Sequence, residues 1–238
     1  MLKITQLQVP TDRLIAALFE ARHTFQDCDA SIRVIMEALS DGADTNAKMA
    51  DGTCVLCTAA YLPHGYAVVT ALIANGCEVK ACMCVQRSPL HPAVRFGTPK
   101  TVAELLRAGA DINTLDRCGR SPLMQLAWRW PQNDADDSVA CIVRVLLDHG
   151  VDLNACRPIE IHVSGQPGTV HADSALHAAC VIGNAHVVDA LLDAGANPSF
   201  CMEEVRKLCG PGAFWKGSMR AAWVRSCLTQ GADSGTGL

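Results

Sequence analysis

One recurring tripeptide constrains this chain more than any other feature. Gly-Ala-Asp occurs at Gly42-Ala43-Asp44, Gly109-Ala110-Asp111 and Gly231-Ala232-Asp233, with variants at Gly76-Cys77-Glu78, Gly150-Val151-Asp152 and Gly195-Ala196-Asn197. Successive glycines stand 34, 33, 41, 45 and 36 residues apart. A period of that size marks an array of supersecondary units, each too small to bury its apolar face without its neighbours. Most of the glycines follow an apolar run with helical spacing: Ile35 to Leu39, Val68 to Ile73, Val102 to Leu106, Val143 to Leu147 and Val187 to Leu192. A glycine just past such a run is a helix C-terminus, where the left-handed backbone conformation penalises a Cβ.

The other end of each unit is marked as clearly. Ser88-Pro89-Leu90-His91-Pro92-Ala93 and Ser121-Pro122-Leu123-Met124 open further helices; Ser174-Ala175-Leu176-His177-Ala178-Ala179 repeats the pattern, and Cys54-Val55-Leu56-Cys57-Thr58-Ala59 is a degenerate copy. Serine caps a helix N-terminus, and proline fits the first turn, where its missing N–H is not needed.

These starts resemble the Thr-Pro-Leu-His-x-Ala motif of the ankyrin repeat, whose unit is a β-turn plus two helices. The resemblance covers residues 31 to 197, with Asp51-Gly52 and Asp116 with Gly119 in hairpin positions. It implies an all-α fold: an ankyrin-repeat solenoid of about six helix-pair units with β-hairpin-like turns, forming a single domain over residues 1–238. The expected units are an N-terminal cap at 10–44, then 45–78, 79–111, 112–152 and 153–197, and a degenerate C-terminal cap at 198–233. Two insertions depart from the pattern. Pro131 to Ser138 adds an acidic loop with Asp134, Asp136 and Asp137 between the helices of one unit, and Arg157 to Asp173 lengthens the next hairpin. Insertions in such arrays map to loops, as a widened binding face or as tolerated surface chain.

Composition narrows the function. Hydrophobic residues make up 50% and charged residues 18%, with a net charge of −4, so the chain has material for a core and no basic excess to drive nucleic-acid binding. Leu14 to Phe19 is the longest apolar run near the N-terminus, far short of the roughly 20 residues of a membrane span. Met1 to Pro10 has no secretory-signal pattern. Thirteen cysteines, an odd number in a chain able to build a core, point to a reducing cytoplasm and to thiols used as small hydrophobes. The terminal Thr236-Gly237-Leu238 resembles a PDZ-domain ligand, although its Gly-Ser-Thr surroundings read first as a frayed end.

No nucleophile–base pair, phosphate loop or metalloprotease motif is present in the sequence. The expectation is a non-enzymatic protein-interaction module, an adaptor, regulator or inhibitor, with no catalytic residue, cofactor or metal. It binds another protein, neither nucleic acid nor membrane, and is monomeric when free. A pathogen effector or toxin-immunity binder acting on an enzyme is one alternative. A metal-binding or redox-responsive regulator is another: Cys54, Cys57, Cys77, Cys82 and Cys84 lie close in sequence. The repeat alignment explains Cys54 and Cys57 as stand-ins for the motif Thr and His, and His91 and His177 as structural braces. Partner-binding residues are sought at variable positions of the concave face. Tyr61, Arg95 with Phe96, and Trp128 with Arg129 align at the ends of first helices, and Arg87, Arg117 and Arg120 lie on hairpins. Arg and aromatic side chains dominate binding hot spots. The competing reading packs Trp128 and Trp130 beneath the acidic loop, with Trp215 and Trp223 sealing the last unit.

Overall fold

A computed structural model describes residues 9–23, 28–62, 65–80, 82, 88–129, 137–157, 159–162, 169–172 and 174–197. The expected C-terminal cap at 198–233, the terminal tripeptide, Arg87, Cys84, Trp130 and most of the acidic loop lie outside these residues. The chain divides into two compact units, residues 1–117 and 118–238.

The described residues of the first unit form three helix pairs: α1 (Pro10–His23) with α2 (Cys28–Ser40), α3 (Val55–Tyr61) with α4 (Tyr66–Ala74), and α5 (Leu90–Phe96) with α6 (Pro99–Arg107). Each first helix packs beside the next, α1 on α3 and α3 on α5, and each second helix does the same, α2 on α4 and α4 on α6. The core runs between these two layers. Leu14, Leu18, Ile35, Leu56, Leu72, Leu90 and Leu105 are fully buried there, each worth about 1.5–3 kcal/mol relative to exposure.

The second unit holds α7 (Pro122–Gln125), which tightens into a 3-10 turn at Leu126–Trp128, then α8 (Ser138–Asp148), α9 (Ala175–Ile182) and α10 (Ala185–Asp193). First helices again stack, α7 and its 3-10 turn on α9, and α10 packs on α8. The fold is all-α, as the resemblance implies, with a lengthened hairpin between α8 and α9. The insertion contains two short antiparallel strands, β1 (Ile159–His162) and β2 (Thr169–Ala172), in register from Ile159 opposite Ala172 to His162 opposite Thr169. Ile-Glu-Ile-His and Thr-Val-His-Ala alternate apolar and polar residues with the period of a strand. Ile159 is buried and lies 3.7 Å from where a Cβ on Gly119 would stand.

Local chemistry explains why each repeat begins and ends where it does. Gly42, Gly76, Gly109, Gly150 and Gly195 all have φ between 80° and 92°, equivalent turns at five helix ends. The next amide reaches back to close each end, as when Cys77 N–H donates to the Leu72 carbonyl at 3.0 Å. Ser121 and Ser174 accept from the amides of Met124 and His177 at 3.3 and 3.1 Å. Ser88 does the same one residue earlier in its repeat, for Leu90, because Pro89 holds the cap position. In the degenerate copy the Cys54 thiol sulfur accepts from Cys57 N–H at 3.4 Å. Hairpins are joined by asparagines: Asn46 Oδ1 accepts from Glu78 N–H at 2.9 Å, and Asn154 Oδ1 from Asn197 N–H at 2.7 Å.

Candidate protein-binding surface

The C-terminal ends of the first helices carry the side chains of interest. On α1, Leu14, Ala17, Leu18 and Ala21 form the buried stripe, at the i, i+3, i+4, i+7 spacing of one helix face. Arg22 follows that stripe and is partly exposed. Tyr61 is the last residue of α3, and Arg95 and Phe96 are the last two of α5, where Gly97 ends the helix.

Stacking the three repeats brings these ends together. The Arg22 guanidinium carbon lies 5.3 Å from the Tyr61 ring centroid, the Tyr61 and Phe96 centroids are 4.3 Å apart at 45°, and Arg95 lies 4.8 Å from the Phe96 ring. The result is a ladder of alternating character, cation, ring, ring, cation, on three consecutive first helices. Each ring pair of this kind contributes about 0.5–1.5 kcal/mol beyond area burial, and each partly exposed cation–ring contact about 0.5–1 kcal/mol. Tyr61, Arg95 and Phe96 remain partly exposed.

The ladder is anchored at one end by charge. Arg22 Nη1 is 3.8 Å from Asp51 Oδ2 in the hairpin before α3. Asp51 also accepts from the Thr53 amide at 2.8 Å. That amide, the Thr53 hydroxyl and the Arg22 charge together hold the Asp51 carboxyl below its ordinary value of 3.8, against the smaller opposing effect of burial. Arg22 was not among the sequence candidates. Its signal was the match of Ala21-Arg22 to Ala60-Tyr61, a register visible only once α1 is treated as a full repeat helix.

The remaining candidates divide. Arg117 is exposed in the first unit. In the second unit Arg120 stacks on Trp128, 4.7 Å from the ring, and both are partly exposed. Arg129 corrects the expectation of an exposed contact. It is 7% exposed, and its Nε and Nη2 donate to Ser138 Oγ at 3.3 and 3.1 Å. Its backbone carbonyl accepts from the Asn184 side chain, so Arg129 is a brace tied to the first residue of α8 and to Asn184. Of the acidic residues, Asp137 occupies the N-cap position of α8 without a side-chain cap bond.

Asn184 is the residue that sequence reasoning missed altogether. It is wholly buried; its amide donates to the carbonyls of Ala127, at 3.2 Å, and of Arg129, while its Oδ1 accepts from Val187 N–H at 3.4 Å. One side chain thus caps α10 and fixes the end of the 3-10 turn that follows α7 in the repeat before.

The thiols form a separate group. Cys54, Cys57, Cys77 and Cys82 are all buried. Cys57 donates to the Cys82 carbonyl at 3.9 Å. Among the described residues no group of three or more His, Cys, Asp or Glu is placed to hold a metal ion. His91 and His177 are both buried, and His91 Nδ1 lies 3.3 Å from the Ser88 carbonyl. Among the described residues no helix is long and apolar enough to cross a membrane.

Stacked helix pairs, left-handed glycines at each second-helix end and hairpins tied by asparagine define a helical repeat protein of the interaction class. A family model for ankyrin repeats, three copies long, matches residues 28–116 and 90–200, and the chain belongs to the ankyrin-repeat family. Ankyrin repeats are generally protein–protein interaction modules, and such domains are typically non-enzymatic.

Proposed function

We propose that the chain is a non-enzymatic binding module of the cytoplasm, an adaptor, regulator or inhibitor. It captures a partner protein on the face made by its first helices and hairpins. One observation carries the reading: the Arg22, Tyr61, Phe96, Arg95 ladder, partly exposed across three successive repeats. Arg, Tyr and Phe supply large contact area and several donors, and side chains already ordered against one another lose little rotamer freedom on binding. Arg117 is an exposed cation of the first unit, and the Arg120–Trp128 stack offers the same chemistry in the second. The module acts as a monomer and uses no cofactor.

Affinity capture tests the reading with the intact protein beside a Tyr61→Ala, Phe96→Ala double variant and a Trp128→Ala variant. The expected result is a partner retained by the parent and lost by the double variant, its far-UV circular dichroism unchanged. Loss of two hot-spot residues weakens binding by about 30-fold or more. Recovery of the same partner in equal yield refutes the assignment.

A further inference from the structure

The buried thiols are not explained by the ladder. Cys77 and Cys82 are 7% and 5% exposed, and their sulfurs lie 3.7 Å apart. Two independent features hold them there. Cys77 is fixed by its backbone N–H, which donates a hydrogen bond to the Leu72 carbonyl at the end of α4, after the left-handed Gly76. Cys82 is brought back by its own amide, which donates to the Glu78 carbonyl at 3.1 Å, and its carbonyl is held by the Cys57 thiol. The Cys82–Glu78 hydrogen bond brings the two cysteines to one place, with their sulfurs in contact. Small hydrophobic packing accounts for a buried cysteine at either position, but it does not require the two sulfurs to meet.

We propose that Cys77 and Cys82 are a redox-responsive dithiol that closes to an intrachain disulfide on exposure to hydrogen peroxide. The proposal is independent of the partner surface. A disulfide bond is about 2.05 Å long, so closure needs a sulfur movement within the reach of side-chain rotation. One thiolate attacks a peroxide oxygen, the O–O bond breaks, and a sulfenic acid forms with release of hydroxide. The second sulfur displaces the hydroxyl from the first: the S–S bond forms as the S–O bond breaks. Two electrons pass from the sulfurs to the peroxide, and both thiol protons end in two molecules of water. Burial limits access to small oxidants, and the neighbouring sulfur intercepts the sulfenic acid before it is oxidised further. The product links the end of α4 to Cys82, in the connection between α4 and α5.

Peptide mapping of the full-length protein decides the matter. Native protein is treated with limiting hydrogen peroxide, alkylated in denaturant and digested with trypsin, which cuts after Lys80, between the two cysteines. The expected product is a linked pair of peptides, assigned by fragmentation to Cys77 and Cys82. It loses two alkylation sites together and is restored by dithiothreitol. Cys77→Ser and Cys82→Ser each abolish the link, whereas Cys84→Ser leaves it. Because the wild-type map needs no variant, a folding failure in either substitution does not obscure the result. A link assigned to Cys54, Cys57 or Cys84 overturns the proposal. So does full alkylation of Cys77 and Cys82 when the exposed Cys118, Cys141 and Cys156 have been oxidised.

Discussion

Replacing Asn184 with alanine isolates what one buried side chain contributes to the register of the second unit. Three hydrogen bonds disappear: the cap to Val187 and the two donated to the carbonyls of Ala127 and Arg129. The lost cap costs about 1 kcal/mol. Each carbonyl left buried without this donor adds about 1 kcal/mol at the low end of the range for unsatisfied groups, for a total of about 3 kcal/mol. Thr98 is the internal control. It occupies the corresponding position before α6, and its Oγ1 accepts from Thr101 N–H at 3.2 Å. Thr98→Ala removes that cap and the 3.0 Å contact of Thr98 Oγ1 with the buried Thr101 hydroxyl, and costs about 1–2 kcal/mol. Asn184→Asp separates the parts: it keeps the acceptor for Val187 but replaces both donated bonds with a carboxylate facing two carbonyl oxygens. It should destabilise at least as much as alanine. Urea unfolding followed by far-UV circular dichroism measures all three. If Asn184→Ala costs no more than Thr98→Ala, or Asn184→Asp is tolerated, the ties to Ala127 and Arg129 contribute nothing net and the reasoning fails.

Other outcomes follow from the same geometry. A Cβ on Gly97 would stand 2.8 Å from the Ala93 carbonyl oxygen and 3.1 Å from that of Ala60. Gly97→Ala should therefore cost about 1–3 kcal/mol, the range for overpacking, and a thermal midpoint unchanged from wild type would contradict that close approach. A double-mutant cycle with Tyr61→Leu and Phe96→Leu should give a coupling energy of about 0.5–1.5 kcal/mol in urea unfolding; strict additivity would mean the rings touch without interacting. Asp51 has a depressed carboxyl pKa, so its contribution is present in full above the ordinary carboxylate value of 3.8 and is lost as pH falls through the lower folded value. Asp51→Asn should therefore reduce stability near neutrality and flatten the acid limb of a stability–pH curve; parallel curves for the two proteins would rule this out.

Much of the fold is legible in the sequence because its determinants are local. A glycine at a helix end and a serine three residues before an amide act within one turn, so their spacing survives as a readable period even when Cys54 replaces the usual capping residue. The strand pairing in the insertion is less legible, since two four-residue runs become a ribbon only by finding each other. The site is less legible still. Alignment brought Tyr61, Arg95 and Phe96 into one column, but it placed Arg129 there too, and nothing in the column distinguishes a half-exposed end from one buried against Ser138.

The sequence by itself determined the repeat, its helix boundaries and the family, because backbone conformation and capping depend on neighbours a few residues away. Only the tertiary structure decided which side chains meet. Arg22 and Tyr61, Tyr61 and Phe96, Asn184 and Ala127, all lie dozens of residues apart along the chain. Their contacts depend on how apolar faces pack between repeats, a distance that no local spacing encodes.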